Sequence, residues 1–175
     1  MSPGEVVGKR ERKKMGDRRA DSRDALWPGA GNEIWHRLHN KGFSTIPRLL
    51  SLITALMKDR SKQGDPTSVY LDLWCRVFDE GFIAIKDEGE CAYASGYSGD
   101  RALRTWRERM EILESMGFIR AAPVGNRKFA NILLVNPLQV VVNLRKKGKP
   151  PVPDEWWNAF TARADEIGAD IPPPK

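Results

Sequence analysis

The chain has 175 residues, 41% hydrophobic and 30% charged, and its 29 Lys and Arg exceed its 23 Asp and Glu to give a net charge of +6. This length allows one domain with tails or a small appendage, and the hydrophobic fraction is enough for a core. No run approaches the roughly 18 apolar residues of a membrane-spanning helix. The charged N-terminus lacks the apolar stretch of a signal peptide, so we expect a cytoplasmic protein.

The basic excess is concentrated in two blocks. Residues 1–30 hold eight Lys and Arg against five Asp and Glu, and residues 115–153 hold seven Lys and Arg and no acid. The remaining residues carry 14 basic and 18 acidic side chains. An ordinary solvated surface would mix the two signs, so this segregation favours an anionic partner, nucleic acid before an anionic membrane surface.

The first block predicts a tail rather than a domain. Residues 1–30 lack apolar periodicity and are expected to form a basic, disordered arm, which could hold DNA phosphates or only keep the chain in solution. Residues 31–150 are predicted to form the folded domain, and residues 151–175 a C-terminal helix and tail. Cys75 lies in an apolar helical pattern and is predicted to be a buried free thiol, with no disulfide to Cys91.

Several elements are predicted between residues 31 and 95. A short helical piece is expected around residues 34–38. Apolar residues at i, i+3, i+4 and i+7 spacing then predict one-sided helices over 46–57 and 66–78. The β-branched and aromatic run at 82–85 indicates a short strand, and residues 87–95 can form one short helix.

A longer amphipathic helix is predicted from about Gly99 to Met116, with Ser98 as its N-cap. Gly117 stops this helix, and two strands are predicted over 118–122 and 129–135, joined by a turn at 123–126. The stripe of the helix that should be buried consists of Leu103, Trp106, Met110 and Leu113.

The segment "ECAYASGYSGDRALRTWRERMEILESMGFI" followed by "RAAPVGNRKFANILLV" resembles the winged helix-turn-helix superfamily in its short helix, glycine-bearing turn, long helix and basic hairpin. This likeness implies a mainly α fold with a small β-hairpin (α+β), a winged helix-turn-helix with extra N- and C-terminal helices. It also implies sequence-specific binding of double-stranded DNA, as in a bacterial, plasmid or phage transcriptional regulator. A plasmid replication initiator or accessory protein, and a winged-helix module for protein–protein assembly, are the alternatives.

The helix 99–116 would enter the major groove, which accepts one α-helix, and its first two turns would reach base edges. Arg101, Arg104 and Thr105 lie in those turns. Later arginines suit phosphates, or ion pairs with the glutamates of the same helix. Tyr97 and Ser98 precede the helix, and a hydroxyl there could bond a phosphate. Arg127 and Lys128 follow the turn between the two strands and suit contacts with the DNA backbone or the minor groove. The predicted DNA-binding set is Tyr97, Ser98, Arg101, Arg104, Thr105, Arg107, Arg109, Arg127 and Lys128.

Asn136 and Pro137 mark the start of a further helix, and the segment "WWNAFTARADEIGAD" predicts a last one. Winged regulators commonly bind as two-fold dimers on palindromic sites. We therefore expect a homodimer, with its contact on the helix after Pro153 or on the helix that starts near Pro47.

Patterns that indicate catalysis are weak. His36 and His39 form H-x-x-H without a third ligand at a usual spacing. No phosphate-binding glycine motif and no G-x-S-x-G occurs. The acids between residues 79 and 90 could hold a metal for nuclease chemistry, but they lie around a turn and a helix start, where acids are expected anyway. We predict no enzyme activity, metal, cofactor or small-molecule ligand.

Overall fold

A computed structural model describes the chain over residues 3–62 and 64–174, with side chains from Lys14 onward. The chain forms two compact units, Met1–Phe43 and Ser44–Lys175. The first unit includes residues 31–43, which bury no side chain. The C-terminal helix belongs to the second unit.

The first unit contains helix α1 (Pro3–Leu26) and a 3-10 turn at Ala30–Asn32. This helix differs from the expected disordered arm. Lys, Arg, Glu and Ala, which fill much of α1, all favour a helix even without an apolar stripe. Met1 and Ser2 of the predicted arm lie outside the described residues.

The helical piece expected around residues 34–38 is instead a turn, in which the His39 N–H donates to the His36 carbonyl at 2.9 Å. Trp35 and Leu38 are exposed there, so no packing against a core supports a longer helix. Among the described residues, no helix combines the length and the apolar composition that crossing a membrane requires.

The second unit holds six helices and three strands over the residues that the structure describes. The prediction of a mainly α chain with a small antiparallel β component is confirmed. In chain order its elements are α2 (Leu50–Arg60), α3 (Thr67–Arg76), β1 (Phe82–Ala84), α4 (Glu88–Ala94), α5 (Ala102–Ser115), β2 (Ile119–Val124), β3 (Arg127–Leu134), α6 (Pro137–Lys147) and α7 (Asp154–Ile167).

The sheet is larger than a hairpin, because β1 joins it. The strand order is β1-β3-β2, with both pairings antiparallel. Gly125 has a φ of +57° in the turn between β2 and β3, a conformation that favours glycine. The register shifts between Ala122 and Val124 at Pro123, which has no N–H to donate and lies on an edge strand.

Helix α5 ends where Gly117 was expected to stop it. Gly117 has a φ of +85°, its N–H bonds the Glu114 carbonyl at 2.9 Å, and the Phe118 N–H bonds the Leu113 carbonyl at 3.0 Å. This left-handed C-cap turns the chain directly into β2. The Trp106, Met110 and Leu113 side chains of α5 are fully buried, and Trp106 packs edge-on against Phe129 with ring centroids 5.9 Å apart.

Three residues that periodicity placed in the core are exposed. Leu103 is 41% exposed, since it lies in the first turn of α5 at the margin of the buried stripe. Phe78 is 80% exposed, because α3 ends at Arg76 and Phe78 follows it in a turn. The Cys75 thiol, predicted to be buried, is exposed, whereas Cys91 is buried.

The two helices expected to form a dimer contact use their apolar faces inside the second unit. Helix α2 buries Ile53 and Met57. Helix α7 buries Phe160, and its Trp156 donates an indole N–H to the Leu52 carbonyl at 3.1 Å. A partner therefore finds no free apolar stripe on either helix.

The two cysteines should differ in reactivity in the folded chain. Burial raises the pKa of the Cys91 thiol to about 11, which suppresses the thiolate that reacts with thiol reagents. We expect one fast-labelling thiol per native chain at mildly alkaline pH, measured with a chromogenic disulfide reagent. Cys75→Ser should remove the fast phase, and the matched Cys91→Ser should leave it; equal rates for both thiols would contradict the described burial.

Candidate nucleic-acid interface

The position of α5 is set by α4 and the turn before it. The Asp87 carboxylate caps α4 by accepting from the Gly89 and Glu90 N–H groups at 2.7 and 3.3 Å. After α4 the chain turns through Gly96 and Gly99, both at positive φ. Helix α5 starts at Ala102, so Arg101 is the N-cap residue and makes no side-chain cap bond. Ser98 is therefore not the cap that the sequence suggested.

The outward side of α5 changes its charge along the helix. Helical spacing places Arg101, Arg104, Glu108 and Glu111 on the side opposite the buried stripe, and all four are exposed. The first turn therefore presents cations and the later turns present carboxylates. A polyanion would meet favourable charge only at the N-terminal part of α5.

Arg101 and Arg104 remain accessible in different ways. Arg101 makes no ion pair within the described part of the chain. The Arg104 side chain is 82% exposed, and its Nε donates to Glu108 Oε1 at 2.9 Å, whereas the sequence suggested such ion pairs for the later arginines Arg107 and Arg109. An exposed i,i+4 pair contributes only about 0.3–0.5 kcal/mol, so an approaching phosphate or guanine could displace Glu108.

Arg107 has a structural partner that sequence reasoning missed. Its Nε donates to Glu88 Oε2 at 2.7 Å, and the Glu88 side chain is only 8% exposed. The pair joins the start of α4 to the second turn of α5 across 19 residues of sequence. Arg107 therefore fixes the two helices relative to each other, and its charge is largely matched by Glu88.

The other predicted residues of this region are less accessible. The Arg109 side chain is 16% exposed and its guanidinium packs against Gly64, so it does not share the outward side with Arg104. Thr105 is half-buried. Tyr97 is also half-buried, with its hydroxyl 3.4 Å from Ser68 Oγ. These three side chains are therefore less open to solvent than those of Arg101 and Arg104.

The wing cations behave differently from each other. Arg127 donates through Nη1 to the Ile85 and Lys86 carbonyls at 3.0 and 3.3 Å, which connects the hairpin to the residues just before α4. Both acceptors are neutral, so these bonds leave the positive charge of Arg127 without a carboxylate partner among the described residues. Lys128 Nζ lies 3.1 Å from Glu114 Oε2 and 3.5 Å from a carboxylate oxygen of Glu111. The pairing with Glu114 raises the pKa of the Lys128 ammonium above its usual value. Lys128 thus links β3 to α5.

The contacts of Arg127 also reveal a neighbour that sequence analysis did not single out. Lys86 is exposed and has no ion pair among the residues that the structure describes. Because Arg127 reaches the Lys86 backbone, the two cations belong to one basic patch beside α4. A single lysine between a strand and a helix gives no sequence signal, since its location depends on the pairing of β1 with β3.

The remaining motif is the histidine pair of the first unit. The imidazole rings of His36 and His39 have their centroids 5.0 Å apart. No group of three or more His, Cys, Asp or Glu that could hold a metal ion occurs within residues 3–62 and 64–174.

Comparison of the chain with models of known protein families, with curated proteins and with solved structures finds no match in any of the three.

Arg107 and Arg104 should differ in their effect on stability. Arg107→Ala leaves the buried Glu88 carboxylate without its partner and should lower the free energy of unfolding by about 1–3 kcal/mol. Arg104→Ala removes only an exposed pair and should cost about 0.5 kcal/mol or less. Urea unfolding followed by tryptophan fluorescence measures both. Equal losses would show that the contact between Glu88 and Arg107 does not hold α4 against α5.

Proposed function

We propose that the second unit is a winged helix-turn-helix module that binds double-stranded DNA and that the protein regulates transcription. The order α3, β1, α4, α5, β2, β3 and the strand order β1-β3-β2 support this assignment. Helix α5 would lie in the major groove and the hairpin of β2 and β3 beside it. The protein would act with DNA in the cytoplasm.

The accessible cations at the start of α5 carry the proposal. Arg101 and Arg104 face solvent at the N-terminal end of the helix, while Trp106, Met110 and Leu113 hold its opposite side in the core. A helix about 10–12 Å across fits a major groove about 12 Å wide. Helix-turn-helix proteins read bases with this end of their recognition helix, and arginine binds guanine O6 and N7 bidentately.

Each nearby cation has a distinct role in this proposal. Arg101 and Arg104 contact base edges. Lys86 and Arg127 contact phosphates, since neither has a carboxylate partner in the described structure. Arg107 positions α5 through Glu88, and Lys128 holds the wing to α5, so neither is a main contact with DNA.

Two related functions remain as alternatives. A plasmid replication initiator would use the same surface, and the location of its binding site, at an origin or at a promoter, distinguishes it from a regulator. An assembly module would use the basic residues only for solvation. The ion pairs of Arg104 with Glu108 and of Lys128 with Glu111 and Glu114 favour this second alternative.

Binding to a random-sequence duplex should be strong at low salt and fall steeply as salt rises. The two phosphate contacts of Lys86 and Arg127 predict an affinity loss of about tenfold per bound chain between about 50 and 200 mM salt, which fluorescence anisotropy of a labelled duplex would measure. No binding at low salt, or binding that salt does not weaken, would exclude the DNA interface and favour the assembly module.

The contribution of α5 is tested with a matched pair of variants. Arg104→Ala should lower affinity for a selected site by about tenfold. Arg163→Ala is the control, because Arg163 also forms an ion pair along an exposed helix, with Glu166 on α7. We expect the control to bind as the wild type does; equal losses in both variants would assign the effect to net charge alone.

A further inference from the structure

The outer face of the sheet exposes an apolar pair. Phe82 on β1 lies opposite Leu133 on β3, and Leu133 lies opposite Arg120 on β2, so these three side chains form one row across the sheet. Phe82 is 53% exposed and Leu133 is 42% exposed, whereas the adjacent row contributes Ile83 and Ile132 to the core. A contiguous exposed apolar patch of this kind is typical of an interaction surface.

The two ends of this row differ in chemistry. At the β1 end a turn closed by the Gly81 N–H and the Phe78 carbonyl, 3.0 Å apart, exposes Phe78 and the acids Asp79 and Glu80. At the β2 end lies the Arg120 guanidinium. None of these three charged side chains forms an ion pair within the described residues. From β1 to β2 the face therefore presents acidic and aromatic side chains first, then the apolar Leu133, and finally the basic Arg120.

We infer that this face is an interface between two copies of the chain, related by a two-fold axis that runs along β3 between the two sheets. Rotation about this axis places Leu133 against its own copy. It also places Arg120 of each copy over Phe82 and beside the acidic turn of the other. A guanidinium over an aromatic ring and next to carboxylates is favourable, and the rotation forms this contact twice.

The choice of a second copy rests on the self-complementarity of the row. A two-fold interface brings one end of the row in each copy onto the other end of the row in its partner, so the two ends must be complementary. The acids Asp79 and Glu80 at one end and Arg120 at the other are complementary in charge. A nucleic acid would meet the acidic turn. The apolar stripes of α2 and α7, expected to form a dimer contact, are already buried in the core.

The test measures the mass of the full chain by light scattering and sedimentation without DNA, so its outcome is independent of the DNA-binding proposal. The wild type should form a concentration-dependent dimer. Leu133→Asp should raise the dissociation constant by at least about tenfold, since it places two carboxylates in the centre of the interface. Tyr93→Asp is the control, because Tyr93 is 76% exposed on α4 and is not part of the sheet, so this variant should leave the dimer intact.

Charge reversal identifies the contacts across the axis. Arg120→Glu alone, and Asp79→Lys with Glu80→Lys in a second variant, should each weaken the dimer, because each copy then meets a like charge. Mixing the two variants should produce a heterodimer, because the contact on each side of the axis then joins opposite charges. A monomeric wild type at all concentrations, or variants that fold but do not complement each other, would overturn the inference.

Discussion

The burial of one side of α5 is the constraint on which the rest of the structure depends. Trp106, Met110 and Leu113 are fully covered by the core, so the rotation of the helix about its own axis is fixed. Burying each such side chain contributes roughly 1.5–3 kcal/mol, far more than any exposed ion pair on the opposite side. The core therefore decides which residues face solvent, and Arg101 and Arg104 are among them. The left-handed Gly117 then ends the helix and directs the chain into the sheet.

Carboxylates divide the neighbouring cations into two groups. Glu88 forms an ion pair with Arg107 and so joins α4 to α5. Glu111 and Glu114 both pair with Lys128, which joins α5 to β3. Lys86, Arg101 and Arg127 have no such partner in the part of the chain that the structure describes. Positive charge is thus available at the start of α5 and beside α4, while the later turns of α5 are balanced. The row of Phe82, Leu133 and Arg120 crosses the opposite end of the sheet from Arg127, which begins β3, so a DNA contact and a dimer contact would use different parts of the sheet.

Local sequence patterns predicted the elements of the second unit well. The period of the apolar residues predicted α5 and its buried side, glycine predicted its end, and Asn136 and Pro137 predicted the start of α6. The same patterns failed where burial depends on distant parts of the chain. Periodicity cannot indicate that Phe78 falls beyond its helix or that Leu103 lies at the margin of the stripe. Charge density likewise did not predict α1, whose residues favour a helix without an apolar face.

Most residues of the candidate site could be nominated from the sequence, but Lys86 and the contacts between the residues could not. Glu88 and Arg107 are 19 positions apart, and Arg127 meets the carbonyl of Lys86 across 41 positions, so neither contact has a local signal. The most direct measurement of the central claim is selection of bound sequences from a random duplex pool. The account predicts enrichment of a defined, guanine-containing site by the wild type and its loss when Arg101 and Arg104 are replaced by alanine. A pool that stays random through selection with the wild type would contradict it.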